Sequence, residues 1–112
     1  MISVVIPALN EQQALPGTLD RLYAQPGDFE AILVDGGSSD NTRGIAGRYE
    51  GLRIIGAPKG RASQMNAGAG IAKGEWLLFL HADTLLPEDA LDRIAGLPPE
   101  VSACRKLSLI HI

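Results

Sequence analysis

Four apolar runs in this 112-residue chain each end on side chains able to do chemistry. Asn10 and Glu11 follow the first run, Asp35 and Asp40 the second, Lys59 and Arg61 the third, and His81 and Asp83 the fourth. Carboxylates, an amide and two cations gathered on one rim suit a diphosphate and the divalent cation that accompanies it. Asp83 is the sharpest candidate. A hard ion such as Mg or Mn, shared with diphosphate oxygens, needs only one or two carboxylates and water, and it would neutralise a departing nucleoside diphosphate. His81 reads as a second ligand, as a hydrogen-bond donor or as an ordinary loop histidine. Lys59 and Arg61 bracket Gly60 at the mouth of a helix, where backbone amides add partial positive charge for a diphosphate; two solvated loop cations would look the same.

The remaining polar positions have structural readings beside functional ones. Asp35 comes straight after an apolar strand and before Gly36-Gly37, a pattern that keeps backbone open for a ligand. Asp40 is a good helix cap whatever else it does, and Asn10 suits a turn at a strand end. Asn66 and Gly68 weaken the helix they occupy, and close packing of that helix on a sheet accounts for them as well as a ligand does.

The elements that would hold these residues are legible in the hydrophobic period. Residues 2–6 form a β-branched run without polar alternation, as in a strand buried on both faces, and Pro7 is expected to end it. Apolar residues at helical spacing place a helix over 15–24, with Pro16 in its first turn. Residues 29–34 read as a second strand, 42–49 as a short helix, 52–55 as a third strand, 61–72 as a small-residue helix closed by Gly74, 76–80 as a fourth strand and 87–95 as a last helix. Strands alternating with single helices require right-handed crossovers, so the expected fold is α/β: a Rossmann-like parallel sheet of four strands with helices on both faces. Ligands bind such sheets at the carboxyl ends of the strands, and Asp35, Arg61 and Asp83 are expected to face one cleft there.

Composition narrows the function classes. Apolar residues at 46% and charged residues at 21% are ordinary for one globular domain. A net charge of −3 without a basic block argues against nucleic acid as a partner. Cys104 is the single cysteine and lacks the company of a zinc site. The N-terminus has no basic leader, and the longest strongly apolar run, 76–80, is far short of the roughly 20 residues of a transmembrane helix; a cytoplasmic domain without a transmembrane segment is the expectation. A dinucleotide-binding oxidoreductase is excluded because no G-x-G-x-x-G follows the first strand and the Gly68-Ala69-Gly70 stretch lies inside a helix.

Three stretches, in order, resemble the family-2 glycosyltransferases, which have a GT-A nucleotide-binding fold: residues 4–11 (VVIPALNE), residues 34–42 (VDGGSSDNT), and Asn66-Ala67-Gly68 leading through Gly74-Glu75-Trp76 to His81-Ala82-Asp83. Residues 60–68 (GRASQMNAG) and 80–84 (LHADT) are similar to a bacterial branch associated with arsenosugar biosynthesis or radical-SAM enzymes. The resemblance implies transfer of a sugar from a nucleotide-sugar donor to an unknown acceptor with inversion. It further implies that Pro7, Asn10 and Glu11 shape the nucleoside pocket, that Asp35 contacts the base, and that Asp40 orders its loop. Arg61 would approach the base or diphosphate, Asn66 belongs to the same binding set, and Asp83 would bind metal (Mg or Mn) and ribose. His81 departs from the family's Asp-x-Asp pattern, and Gly36 replaces the second of two common aspartates. In the family the catalytic base and acceptor elements come from a C-terminal half, so no catalytic residue is assigned, and a catalytically inactive nucleotide-binding fragment is the alternative. Residues 1–103 are expected to form the donor-binding domain, truncated, and 104–112 a non-native or read-through tail outside the sheet; a native edge strand over 107–112 is the other reading.

Overall fold

The computed structural model describes residues 1–25, 28–74, 76–82, 91 and 109–111. The elements among them are β1 (Ile2–Ala8), α1 (Leu15–Tyr23), β2 (Phe29–Asp35), α2 (Thr42–Ala46), β3 (Arg53–Gly56), α3 (Arg61–Ile71), β4 (Trp76–Phe79) and β5 (Leu109–His111). The sheet order is β3-β2-β1-β4-β5, and each adjacent pair is parallel. The chain therefore steps outward from β1 to β2 and β3 and then returns to place β4 on the opposite side of β1. That reversal puts the topological switch point, where parallel sheets open a crevice, between the ends of β1 and β4.

Neighbouring residues of the central strands serve opposite faces, as the period of two requires. Val4, Ile6, Leu33 and Leu78 join Leu15, Leu19 and Leu22 of α1 and Ala46 of α2 on one side. Val5, Ile32, Val34, Leu77 and Phe79 lie on the other, against the partly buried Met65, Ala67, Ala69 and Ile71 of α3. Helices thus cover both faces, as expected. Gly68 is where α3 comes nearest: a Cβ there would stand 2.3 Å from Val5 Cγ1 and 3.1 Å from Val34 Cγ2. Its packing role is settled by that contact.

Several expected boundaries move. Pro7 does not end β1, which runs to Ala8. The Val5 carbonyl accepts the Leu80 N–H at 3.0 Å and the Ala8 carbonyl accepts the Gly36 N–H at 2.9 Å, so alternate residues of β1 address β4 and β2 in turn. Pro7 falls on the β4 side beyond that strand's last residue, where its missing N–H costs no ladder bond. Gly74 does not close α3 either; the helix ends at Ile71, and its C-cap Ala72 already has an extended ψ of 138°. Gly74 is small because it lies against the start of β1: a Cβ there would sit 2.7 Å from the Met1 carbonyl, and its N–H donates to Ser3 Oγ at 2.7 Å. α2 is one turn shorter at its end than the apolar spacing suggests. The tail expectation is corrected in part, since residues 109–111 join the sheet as β5, with Leu78 opposite Ile110. The helix expected over 87–95 falls outside the described residues except for Leu91, which is buried and whose N–H donates to Gln25 Oε1 at 3.2 Å.

At the amino ends of the strands, one carboxylate knits four segments together. Glu30 accepts from the Ser3 hydroxyl and from the Lys73 N–H at 2.6 Å, and pairs with Arg53 at 3.4 Å. Burial would raise its carboxyl, but those donors and the Arg53 charge outweigh it and hold the group below its usual value. On the α1 side, burial and then the hydrogen bond to Asp20 push the Tyr49 phenol up to about 12.

Candidate functional site

At the carboxyl ends of β1 and β2, the polar loops grip each other. Asn10 has φ 53°, the left-handed region that asparagine enters more readily than most residues. This turn lets the Asn10 side chain accept the Ser39 N–H at 2.8 Å while its own N–H donates to Ser38 Oγ at 2.9 Å. The Glu11 N–H donates to Thr42 Oγ1 at 2.9 Å, the Gln12 N–H to Asp40 Oδ2 at 3.3 Å, and the Asn41 N–H to Gln12 Oε1 at 3.1 Å. Asp40 also accepts from Thr42, N–H at 3.0 Å and hydroxyl besides, and that hydroxyl is the main reason its carboxyl is held below the ordinary range. The cap of α2 is Asn41 rather than Asp40, although Asp40 provides the capping carboxylate. Asp35 is 3% exposed and folds back onto its own loop, accepting from Gly37 N–H at 3.2 Å, from Ser38 N–H at 3.1 Å and from the Ser38 hydroxyl.

A cleft of about 340 Å3 opens beside this clasp, at the switch point. One wall is the end of β1 with Pro7, Ala8 and Leu9; the other is the exit of β4 with His81 and Ala82. Glu11 lines it from the β1 loop, and Lys59, Gly60 and Arg61 line it from the start of α3. Gly60 has φ 139°, a conformation rare for residues with side chains, which lets the chain turn sharply into α3 between the two cations. His81 is held from both sides: the Leu80 N–H is bound to Val5, and the Ala82 carbonyl accepts the buried Thr18 hydroxyl at 2.7 Å.

Of the expected site residues, Pro7, Glu11 and Arg61 line one cleft, together with Lys59 and His81. Asn10, Asp35 and Asp40 stand on the same rim but outside the lining, with their side chains bonded within the clasp. Asn66 is exposed on α3 and does not line the cleft. Asp83 lies outside the described residues. Among the described residues no group of three or more His, Cys, Asp or Glu gathers as a metal site. Glu11 and His81 are the cleft's own potential ligands, which suits only an ion held mainly by diphosphate and water.

One residue of the site carries little signal in the sequence. Gln64, 5% exposed, donates from Nε2 to the carbonyls of Ala8 and Val34, both at 2.9 Å, and accepts the Gly60 N–H at 3.4 Å. It joins the ends of β1 and β2 to the first turn of α3 under the cleft. A glutamine among small helical residues ordinarily faces water; only its spacing of four from Gly68, which puts both on the sheet-facing side, hints otherwise.

Comparison with known proteins bears on what this arrangement is. A "PGL/p-HBAD biosynthesis glycosyltransferase" of Mycobacterium bovis is 46% identical over 104 residues, covering 86% of this chain and 41% of that protein. An "undecaprenyl-phosphate 4-deoxy-4-formamido-L-arabinose transferase" of Aeromonas hydrophila is 32% identical over 105 residues, covering 84% of this chain and 32% of that protein. The chain thus spans less than half the length of the curated relatives it matches. The crystal structure of S. aureus TarS 1–349 superposes with a TM-score of 0.80 at 26% identity over 85% of this chain and 31% of that one. A mannosyltransferase from Pyrobaculum calidifontis, solved in complex with GDP-Man and Mn2+, gives 0.77 at 25% identity over 87% of this chain and 32% of that one. Among the described residues no helix is long and apolar enough to cross a membrane. The model of the family described as "Glycosyl transferase family 2" matches residues 3–97, and the chain belongs to that family.

Proposed function

We propose that the cleft between the ends of β1 and β4 binds a nucleotide-sugar donor, and that residues 1–103 serve as the donor-binding domain of an inverting sugar transfer to an unidentified acceptor. The observation that carries this reading is the placing of Lys59 and Arg61 on either side of the α3 entry, facing Glu11 and His81 across a cleft at the sheet's switch point. Cations together with helix N-terminal amides are the arrangement a diphosphate requires. Relatives named as glycosyltransferases, and neighbours solved with UDP-GlcNAc or GDP-Man, support a donor of that class.

In this reading Pro7 and Glu11 border the nucleoside, and Arg61 meets the diphosphate. Asn10, Asp35 and Asp40 build the loop against which the base rests, with Asp35 nearest to it, and Asn66 has a supporting place on α3. Asp83 would hold Mg or Mn with ribose; the Mn2+ complexes among the structural neighbours support metal use in the family. Kinship with the arsenosugar or radical-SAM-associated branch rests on residues 60–68 and 80–84. Removal of the acceptor proton needs a base, and none is assigned here.

Titration calorimetry with uridine and guanosine diphosphates, with and without Mg2+ or Mn2+, tests the reading. Binding that weakens about tenfold or more in Arg61→Ala, the scale of a lost charge-assisted hydrogen bond, and that depends on metal and on Asp83, is expected. No saturable binding of either nucleotide would rule the donor cleft out.

A further inference from the structure

We propose that Gln64 is a specificity-determining residue of the cleft, presenting an acceptor-only face that takes a hydrogen-bond donor of the nucleoside and turns the diphosphate outward. This rests on the donor-cleft reading above and adds to it which part of the ligand goes where.

A side-chain amide normally offers both donors and acceptors. In Gln64 that freedom is gone. Both Nε2 hydrogens are directed to main-chain carbonyls, Ala8 and Val34, at 2.9 Å each. Neither carbonyl could be satisfied by Oε1, so the amide is locked in one orientation. What remains is Oε1, an atom with two lone pairs that accepts one long bond from the Gly60 N–H at 3.4 Å. Gln64 lines the cleft, and the polar atom left to it there can only accept. A phosphate oxygen beside Oε1 would set acceptor against acceptor, whereas a base N–H or ribose hydroxyl would complete it. Lys59 and Arg61, at the mouth of the same cleft, present only donors and positive charge. The buried acceptor and the exposed cations are thus chemically unlike, and a nucleoside diphosphate matches them with its nucleoside inward and its diphosphate toward solvent.

Gly36 belongs to the same device. A Cβ at position 36 would stand 2.9 Å from Gln64 Oε1 and 3.0 Å from its Cδ. The amide occupies the space that a side chain at 36 would need, so the residue pair is coupled: any larger residue at 36 displaces the acceptor.

The test is the ratio of two affinities measured on the full 112-residue chain in Mg2+: uridine diphosphate, which has both halves of the ligand, and inorganic diphosphate, which has one. Gln64→Met is expected to weaken uridine diphosphate about tenfold, the scale of one hydrogen bond, while inorganic diphosphate changes less than about twofold. Gly36→Ala, which pushes the amide without removing its donors, is expected to shift the ratio in the same direction and answers the question if Gln64→Met fails to fold. Equal loss for both ligands, or no loss for either, overturns the proposal and leaves Gln64 a purely structural tie. If the unaltered chain binds uridine diphosphate but not inorganic diphosphate, the division of the cleft is overturned and the donor site stands. Binding of neither overturns the donor site and this inference with it.

Discussion

The hydroxyl of Thr18, fully buried on α1, donates to the carbonyl of Ala82 at 2.7 Å and so fixes the backbone directly after His81. Thr18→Val keeps the shape and removes the donor, leaving a buried carbonyl short of its partner at about 1–3 kcal/mol. Urea denaturation should show that loss. The variant should also weaken nucleoside diphosphate binding, because His81 faces the cleft from the residue before Ala82. Unchanged affinity in a destabilised variant would separate the two effects and remove His81 from the site.

Two glycines of α3 should respond in opposite directions to the same substitution. Gly68→Ala forces a methyl within 2.3 Å of Val5 Cγ1, overpacking that typically costs about 1–3 kcal/mol. Gly70 meets nothing within 4 Å of its ideal Cβ, so Gly70→Ala should gain about 0.5–1 kcal/mol from helix propensity. Thermal melts of the pair give the answer directly, since both variants add one methyl to one helix.

Asn10 combines a backbone and a side-chain demand that substitutions can separate. Asn10→Gly retains access to φ 53° but loses the acceptor for Ser39; Asn10→Ala loses both. The alanine variant should be the less stable by about 1 kcal/mol, the cost of left-handed backbone in an ordinary residue. Equal stabilities would mean that the loop clasp relaxes its geometry.

Acid should loosen the amino ends of the strands. The folded Glu30 carboxyl lies below its ordinary value of 4.5. Its contribution is therefore fully present above that pH and fades as pH falls through the lower folded value. Stability measured from pH 6 downward should decline less steeply in Glu30→Gln than in the unaltered chain. A matching slope would show that the contacts with Ser3, Lys73 and Arg53 do not discriminate the charged form.

The sheet was readable because Val4 and Val5 are both apolar while serving opposite faces, which only a strand covered on each side permits. The rim was readable because polar residues cluster at each strand exit. Pro7 misled because its effect depends on which neighbour the missing N–H would face, a matter of pairing rather than of local sequence. Asn10 could be placed on the rim, but its side-chain bond runs to Ser39, 29 positions away. Gln64 was invisible for the same reason: its partners, Ala8 and Val34, are 56 and 30 residues distant. The β-prone tail could be seen, while its pairing with β4 is a long-range event that periodicity does not encode.

β1 pairs with β2 as far as Ala8 but with β4 only as far as Val5. The sheet margin therefore has a terrace, three residues deep, or about 10 Å at the usual strand rise. The cleft is this missing strand length. Its depth is set in main chain, so exchanging Lys59, Arg61 or His81 rewrites the inscription on the walls without moving them. Adding residues to β4, by contrast, would fill the terrace with backbone whatever side chains surrounded it.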